Sequence, residues 1–303
     1  MKNKKLVLFA LTLFIGAGIA TMNKNHESVV QETCNKSIVN EQGHPTDVLL
    51  QLLSLTDIEH DGSLASIVQA TQKADSGWMR KEGCERWDIV DTNVANQNDF
   101  FDLFHKLHLV DEIVPQQQQY DYVLLMGAAY DRIASRLQYA IQLCKQGVRF
   151  DNVVILSGAR PLTDAEITAL QRDYNFKDSA AVPATEAELM QFVYDTIKKP
   201  ENMDHIPVVL INAPMKITKN GALARPTTGD TVIEWMKLNP VVGSCLVISN
   251  QPYVCYQDSV AKTLLPHDFT VETVGEKSHD VTIGIYLDTL ARNLYQEKIR
   301  LSL

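Results

Sequence analysis

The sequence predicts an α/β protein: a doubly wound, mostly parallel sheet of five strands, preceded by a mainly helical extension. Three observations predict it. Five short, continuous apolar runs lie within residues 122–274, each is followed by apolar residues at helical spacing, and most end in small or polar residues. Runs without polar alternation read as strands covered on both faces, which is how a parallel sheet with crossover helices is built.

The first run, 122–126, ends at Gly127, and Ile133, Leu137, Ile141 and Cys144 then mark one helix face that stops at Gly147. The second, 153–156, ends at Ser157-Gly158. A polar insert follows, then a helix from about Thr185 with Leu189, Phe192, Val193 and Ile197 inward. Run 208–211 leads to a helix starting near Thr228, and run 246–248 to a helix through Val260 and Leu264. The fifth run, 269–274, precedes a closing helix with Ile283, Leu287, Leu290 and Leu294. Upstream, residues 23–115 suggest short helices over 48–55, 63–71 and 98–109, and Pro115 with four glutamines after it marks a boundary. The expected organisation is therefore 1–22 as a targeting segment, 23–115 as a helical extension and 116–303 as the sheet domain.

The targeting segment has its own pattern. Lys2, Lys4 and Lys5 precede an uncharged apolar stretch over 6–20, and Gly18 and Ala20 are small. This matches a secretory signal peptide, either cleaved or kept as an N-terminal anchor, with a buried helix as the third reading. The expected location is exported, periplasmic or held at the inner membrane facing the periplasm, with membrane contact only through residues 6–20 if they are retained.

The chain has 303 residues, 45% of them apolar and 21% charged, enough for a large core. Its formal charge of −9 argues against a nucleic-acid partner held through phosphates. Loss of the three leading lysines would deepen that charge. Among the five cysteines, Cys144 and Cys245 read as core, Cys34 and Cys84 could pair, and Cys255 is left over. No cysteine spacing matches a zinc motif, and His105 and His108 lack further ligands nearby, so no metal is expected.

In doubly wound sheets the ligand crevice lies beyond the carboxyl ends of the strands, so the strand exits nominate the site. After the first strand, Gly127 permits close backbone approach, and Arg132 and Arg136 stand one helical turn apart near a helix N-terminus, fit for a phosphate or carboxylate or for ordinary salt bridges. There is no GxGxxG fingerprint. After the second, Ser157, Gly158 and Arg160 combine a hydroxyl, a flexible backbone and a cation. Thr185 and Glu186 fit a helix cap or a ligand contact, and so do Thr228 and Asp230. Ser249, Gln251 and Tyr253 offer amide and aromatic groups suited to a planar ring or sugar, or simply a turn.

Taken in order, Asp131-Arg132, Ser157-Gly158-Ala159, Thr185-Glu186-Ala187-Glu188, Thr227-Thr228-Gly229-Asp230-Thr231 and Ser249-Asn250-Gln251-Pro252-Tyr253 resemble the motif series of the YdcF/SanA/ElyC-like family. The resemblance covers roughly residues 120–275. It implies a Rossmann-like fold, a bacterial envelope role, and S-adenosylmethionine binding as in one branch. By position, Arg132, Ser157, Gly158, Thr185, Glu186 and Thr228 match that family's pocket pattern. The chain departs from the pattern at Ala159, at Gly229-Asp230 and at Gln251-Pro252-Tyr253, where a histidine is usual.

The expected function is binding of a small anion, a nucleotide or nucleotide-sugar, or of S-adenosylmethionine. Arg132 and Arg136 take the negative group, while Glu186, Asp230 and Gln251 orient the rest. Two other readings stand beside it. One is a hydrolase or transferase of envelope phospho-sugars or lipid-linked intermediates, with Glu186 or Asp230 as general base. The other is a non-catalytic envelope scaffold.

Overall fold

Strand β1 (Gln119–Met126) is the middle of the sheet because its inner residues Val123, Leu124, Leu125 and Met126 are apolar on both faces and all buried. The computed structural model describes residues 37–302 apart from 41, 74–75, 82–83, 85–88, 90–95, 175, 177–180, 219–220 and 280. The proposed targeting segment and Cys34 lie outside these residues.

From β1 the chain winds outward through helix α4 (Tyr130–Lys145) to β2 (Arg149–Gly158), then through α5 (Asp164–Asp173), α6 (Glu186–Thr196) and the one-turn α7 (Glu201–Asp204) to β3 (Val208–Ala213). It then returns past a hairpin of β4 (Lys216–Ile217) and β5 (Leu223–Ala224), and through α8 (Thr228–Met236), to β6 (Ser244–Asn250) on the other side of β1. Helix α9 (Val254–Leu264) leads to β7 (Thr270–Glu276), and α10 (Ile283–Arg300) is the last described element. The five-stranded sheet has the order β3-β2-β1-β6-β7, and every pairing in it is parallel. This is the doubly wound, Rossmann-like α/β fold. The winding reverses between β1 and β6, which is where such sheets open a crevice.

Alternate residues of each central strand feed two cores. Val123, Leu125, Val153, Ile155, Leu246 and Ile248 pack with α4 and α6 on one face. Leu124, Met126, Val154, Leu156, Cys245 and Val247 pack with Val232, Trp235 and Ala261 of α8 and α9 on the other. The third apolar run departs from the expectation of cover on both faces. Its strand, β3, is the sheet edge, and Val208, Val209 and Leu210 are each more than a third exposed.

A third core joins the beginning and end of the described chain. Helices α1 (Asp47–Leu55), α2 (Leu64–Thr71) and α3 (Gln97–Lys106) bury Leu49, Leu52, Ile67, Phe100 and Phe104 against Tyr286, Leu290 and Leu294 of α10. The Phe104 and Tyr286 rings stack with centroids 4.5 Å apart. Beyond α3, Ile113 exchanges two backbone hydrogen bonds of 3.0 Å with Gly275, which ties this region to the β7 edge. The segment read as a polar insert contains α5, started by a Thr163–Glu166 capping box.

Cysteine usage also differs from expectation. Cys84 is a free thiol, as are buried Cys144 and Cys245, so the Cys34–Cys84 pairing is not made. Cys255, left over in the sequence reading, takes part in a disulfide. No helix among the described residues is long and apolar enough to cross a membrane.

Candidate functional site

Beyond the carboxyl ends of β1 and β2 lies a cavity of about 480 Å³, within the range of small-molecule sites. Its base is the turn Gly127-Ala128-Ala129 and the start of α4. Ala129, the α4 N-cap residue, has no side chain to cap the helix. By contrast, α6 and α8 begin with complete capping boxes, Thr185 with Glu188 and Thr227 with Asp230. The α4 end is thus an uncapped helix N-terminus at this cavity, as are the starts of α9 and α10, which place Tyr256 and Ile285 in its lining. Such an end attracts anions through its unpaired N–H groups and dipole.

Five arginines line the cavity: Arg80, Arg132, Arg160, Arg225 and Arg292. Arg132 lies over the Tyr253 ring, its guanidinium carbon 5.0 Å from the centroid. No carboxylate among the described residues pairs with it. Arg160 is held by Glu166 through bonds of 2.8 and 3.0 Å, and it also donates to the Ala128 carbonyl at 3.3 Å, joining the first two strand exits. Burial works to raise the Glu166 carboxyl, but hydrogen bonds from Arg160 and Thr163 outweigh it and hold the group below the usual range. Arg80 and Arg292 share Asp288, which is buried to 1% side-chain exposure. Asp288 accepts from Arg292 at 3.0 and 3.2 Å, and from the Arg80 backbone and guanidinium at 3.2 and 3.4 Å.

Glu186, the first residue of α6, also lines the cavity. Burial pushes its carboxyl above the ordinary range, although Arg160 works against the shift. Gly127 makes room for it, since a Cβ there would lie 2.7 Å from Glu186 Oε1 and 3.0 Å from the Leu156 carbonyl oxygen.

The structure therefore brings together Gly127, Arg132, Arg160, Glu186 and Thr228. The other sequence candidates do different work. Arg136, expected beside Arg132, is one turn further into the protein and only 3% exposed. Its guanidinium donates to the Met126 and Gly127 carbonyls and to Asn250 Oδ1 at 2.9, 2.8 and 2.8 Å, so it fastens β1 to β6. Ser157 is fully buried and donates to the Ile211 carbonyl at 2.6 Å, while Ser249 is 1% exposed. Thr185 caps α6. Asp230 does not line the cavity: it caps α8 through Thr227 and pairs with Lys216 at 2.6 Å, so it is a poor candidate for a general base. Gln251 donates to the His108 and Asp111 carbonyls at 2.9 and 2.8 Å, holding the loop after α3. Tyr253 contributes its ring beneath Arg132 rather than a ligand-facing hydroxyl.

Gly158 serves Pro226 rather than a ligand. A Cβ on Gly158 would fall 2.2 Å from Pro226 Cγ. Gly158→Ala is expected to push away the segment carrying Arg225 and to destabilise the protein by roughly 1–3 kcal/mol, measured as a lowered thermal midpoint.

Sequence reasoning missed Arg80, Glu166, Arg225 and Arg292 as site residues. Arg225 immediately precedes the Pro226-Thr227 helix start, which is a usable local signal. The Thr163–Glu166 spacing is a capping-box signature that could have placed Glu166. Arg80 belongs to the helical extension and has no local signal that ties it to the sheet.

No family model matches the chain, and no solved structure matches it. Uncharacterized proteins of Mycobacterium bovis and Mycobacterium tuberculosis are similar to it, each 24% identical over 220 residues. The match takes in 64% of this chain and 60% of those proteins, so the chain spans less than two thirds of the relatives' length.

Proposed function

We propose that this protein binds a small phosphate-bearing anion in the cavity at the carboxyl edge of the sheet. One observation carries the reading. Arg132, without a carboxylate partner among the described residues, stands at the uncapped start of α4 inside a cavity with four more arginines, on a chain of net charge −9. A local cluster of guanidiniums on an acidic protein selects a discrete anion over a polyanion. Nucleotides and nucleotide-sugars carry the matching charge. S-adenosylmethionine, with sulfonium and ammonium groups, meets the five guanidiniums with the wrong sign.

An envelope setting is part of the proposal. The basic and apolar N-terminus supports it, and the disulfide at Cys255 is the kind of bond that persists in oxidising compartments. The motif resemblance to the YdcF/SanA/ElyC-like family points the same way.

The test is thermal denaturation of the purified protein with inorganic phosphate, nucleotides, nucleotide-sugars and S-adenosylmethionine. A phosphate ligand at a hundredfold excess over Kd is expected to add about 2.7 kcal/mol, a rise of roughly 5 °C or more. Arg132→Ala is expected to abolish that rise while leaving the ligand-free midpoint nearly unchanged. A flat response to the whole panel, or an equal response in Arg132→Ala, overturns the assignment and favours the scaffold.

A further inference from the structure

One carboxyl group in the cavity is held by a single long ion pair and by no hydrogen bond from a described residue. Glu166 is committed to Arg160 and to the cap of α5, and Asp131 stands exposed at the rim. Glu186 has a side chain only 12% exposed, accepts no hydrogen bond from any described residue, and has Arg160 Nε at 3.8 Å as its nearest cation. Gly127 leaves the space it occupies. Burying a carboxyl without hydrogen bonds is costly, and a simple anion-binding site would gain nothing from it, because an ionised Glu186 repels the ligand. A glutamine would donate a hydrogen bond just as well. What the carboxyl adds is a proton that can be transferred.

The charge count favours the same reading. The five arginines face the carboxylates of Asp131, Glu166 and Glu186, with Asp288 neutralising part of the Arg80 and Arg292 pair. With Glu186 ionised the cavity is about one charge positive; with Glu186 protonated it is about two, which matches a phosphate monoester dianion.

We propose that the cavity hydrolyses phosphate monoesters, with Glu186 donating the proton to the leaving oxygen. This rests on the anion-binding reading above. Arg132 and the α4 N-terminus bind the phosphoryl oxygens. A water oxygen bonds to phosphorus as the bond from phosphorus to the ester oxygen breaks, and that oxygen leaves as an alcohol carrying the Glu186 proton. The dihydrogen phosphate formed returns one proton to the Glu186 carboxylate, leaving hydrogen phosphate and a regenerated acid. The charged groups acting on Glu186 are Arg160, Glu166, Arg225 and Arg136, and burial outweighs the three arginines to push the carboxyl above its ordinary range. Rate should therefore fall as pH rises and the acid form is lost.

The experiment compares phosphate release from p-nitrophenyl phosphate and from glycerol phosphate by the purified protein and by Glu186→Gln. A nitrophenolate leaves without protonation, whereas an alkoxide does not. The expected result is a loss of about 100-fold or more on glycerol phosphate in Glu186→Gln, with p-nitrophenyl phosphate changed only a few-fold and the alkaline fall in rate removed. Equal loss on both esters, no loss on either, or no release by the unaltered protein overturns the proposal. Thermal stabilisation by inorganic phosphate is measured on the same samples. If it persists without hydrolysis, the anion-binding reading stands alone; if it too is absent, both fall.

Discussion

Arg136→Ala is expected to lower stability by roughly 3–5 kcal/mol, a drop of about 10 °C or more in the thermal midpoint. The side chain is 3% exposed and supplies three charge-assisted hydrogen bonds, to the carbonyls of Met126 and Gly127 and to Asn250. Removing it leaves those acceptors facing a void at the point where β1 and β6 part. Arg136→Lys should recover only part of the loss, since one ammonium cannot reproduce the planar fork that serves two elements at once. A midpoint unchanged in Arg136→Ala would mean that the fastening is dispensable.

Asp288→Ala is the second large effect. Its carboxylate is 1% exposed and holds Arg80 from the helical extension together with Arg292 of α10. Without it two guanidiniums are left in a confined space, at an expected cost of about 3 kcal/mol. The pH dependence has a definite sign. Burial would raise the Asp288 carboxyl, but the hydrogen bonds and charge of Arg292, then of Arg80, hold it below its ordinary value of 3.8. A lowered acid stabilises the folded state above its unfolded value and loses that contribution as pH falls through the folded value. The stability gap between the unaltered protein and Asp288→Ala should therefore be full above about pH 5 and narrow below about pH 4. A gap that stays constant down to pH 3 would show that the pair is not what stabilises this junction.

The sheet was legible because a strand covered on both faces leaves an unmistakable apolar run. Runs 122–126, 153–156 and 246–248 correspond to β1, β2 and β6. Run 208–211 has the same composition yet forms an edge, because composition reports β-forming tendency and not strand order. The site was harder for a chemical reason: helix caps and anion sites use the same hydroxyls and carboxylates. Thr185 and Asp230 turned out to be caps, and only Glu186 of the acidic candidates faces the cavity. Arg132 and Arg136 share a helix face, but four residues along the axis separate a cavity wall from a buried fastening. Arg80 was not legible at all, for its tie to Asp288 spans 208 residues.

That last span bears on how the protein comes into being. Strands β1 to β7 all precede α10 in the chain, whereas the apolar faces of α1 to α3 and the guanidinium of Arg80 wait for α10 to arrive. A polypeptide made from its N-terminus keeps α1 to α3 without their cover until α10 has been made. The cavity acquires its full set of cations at that same late moment, so a shortened chain holds a sheet without a finished site. The third core and the full cavity lining arrive together, and α10 is the piece that completes both.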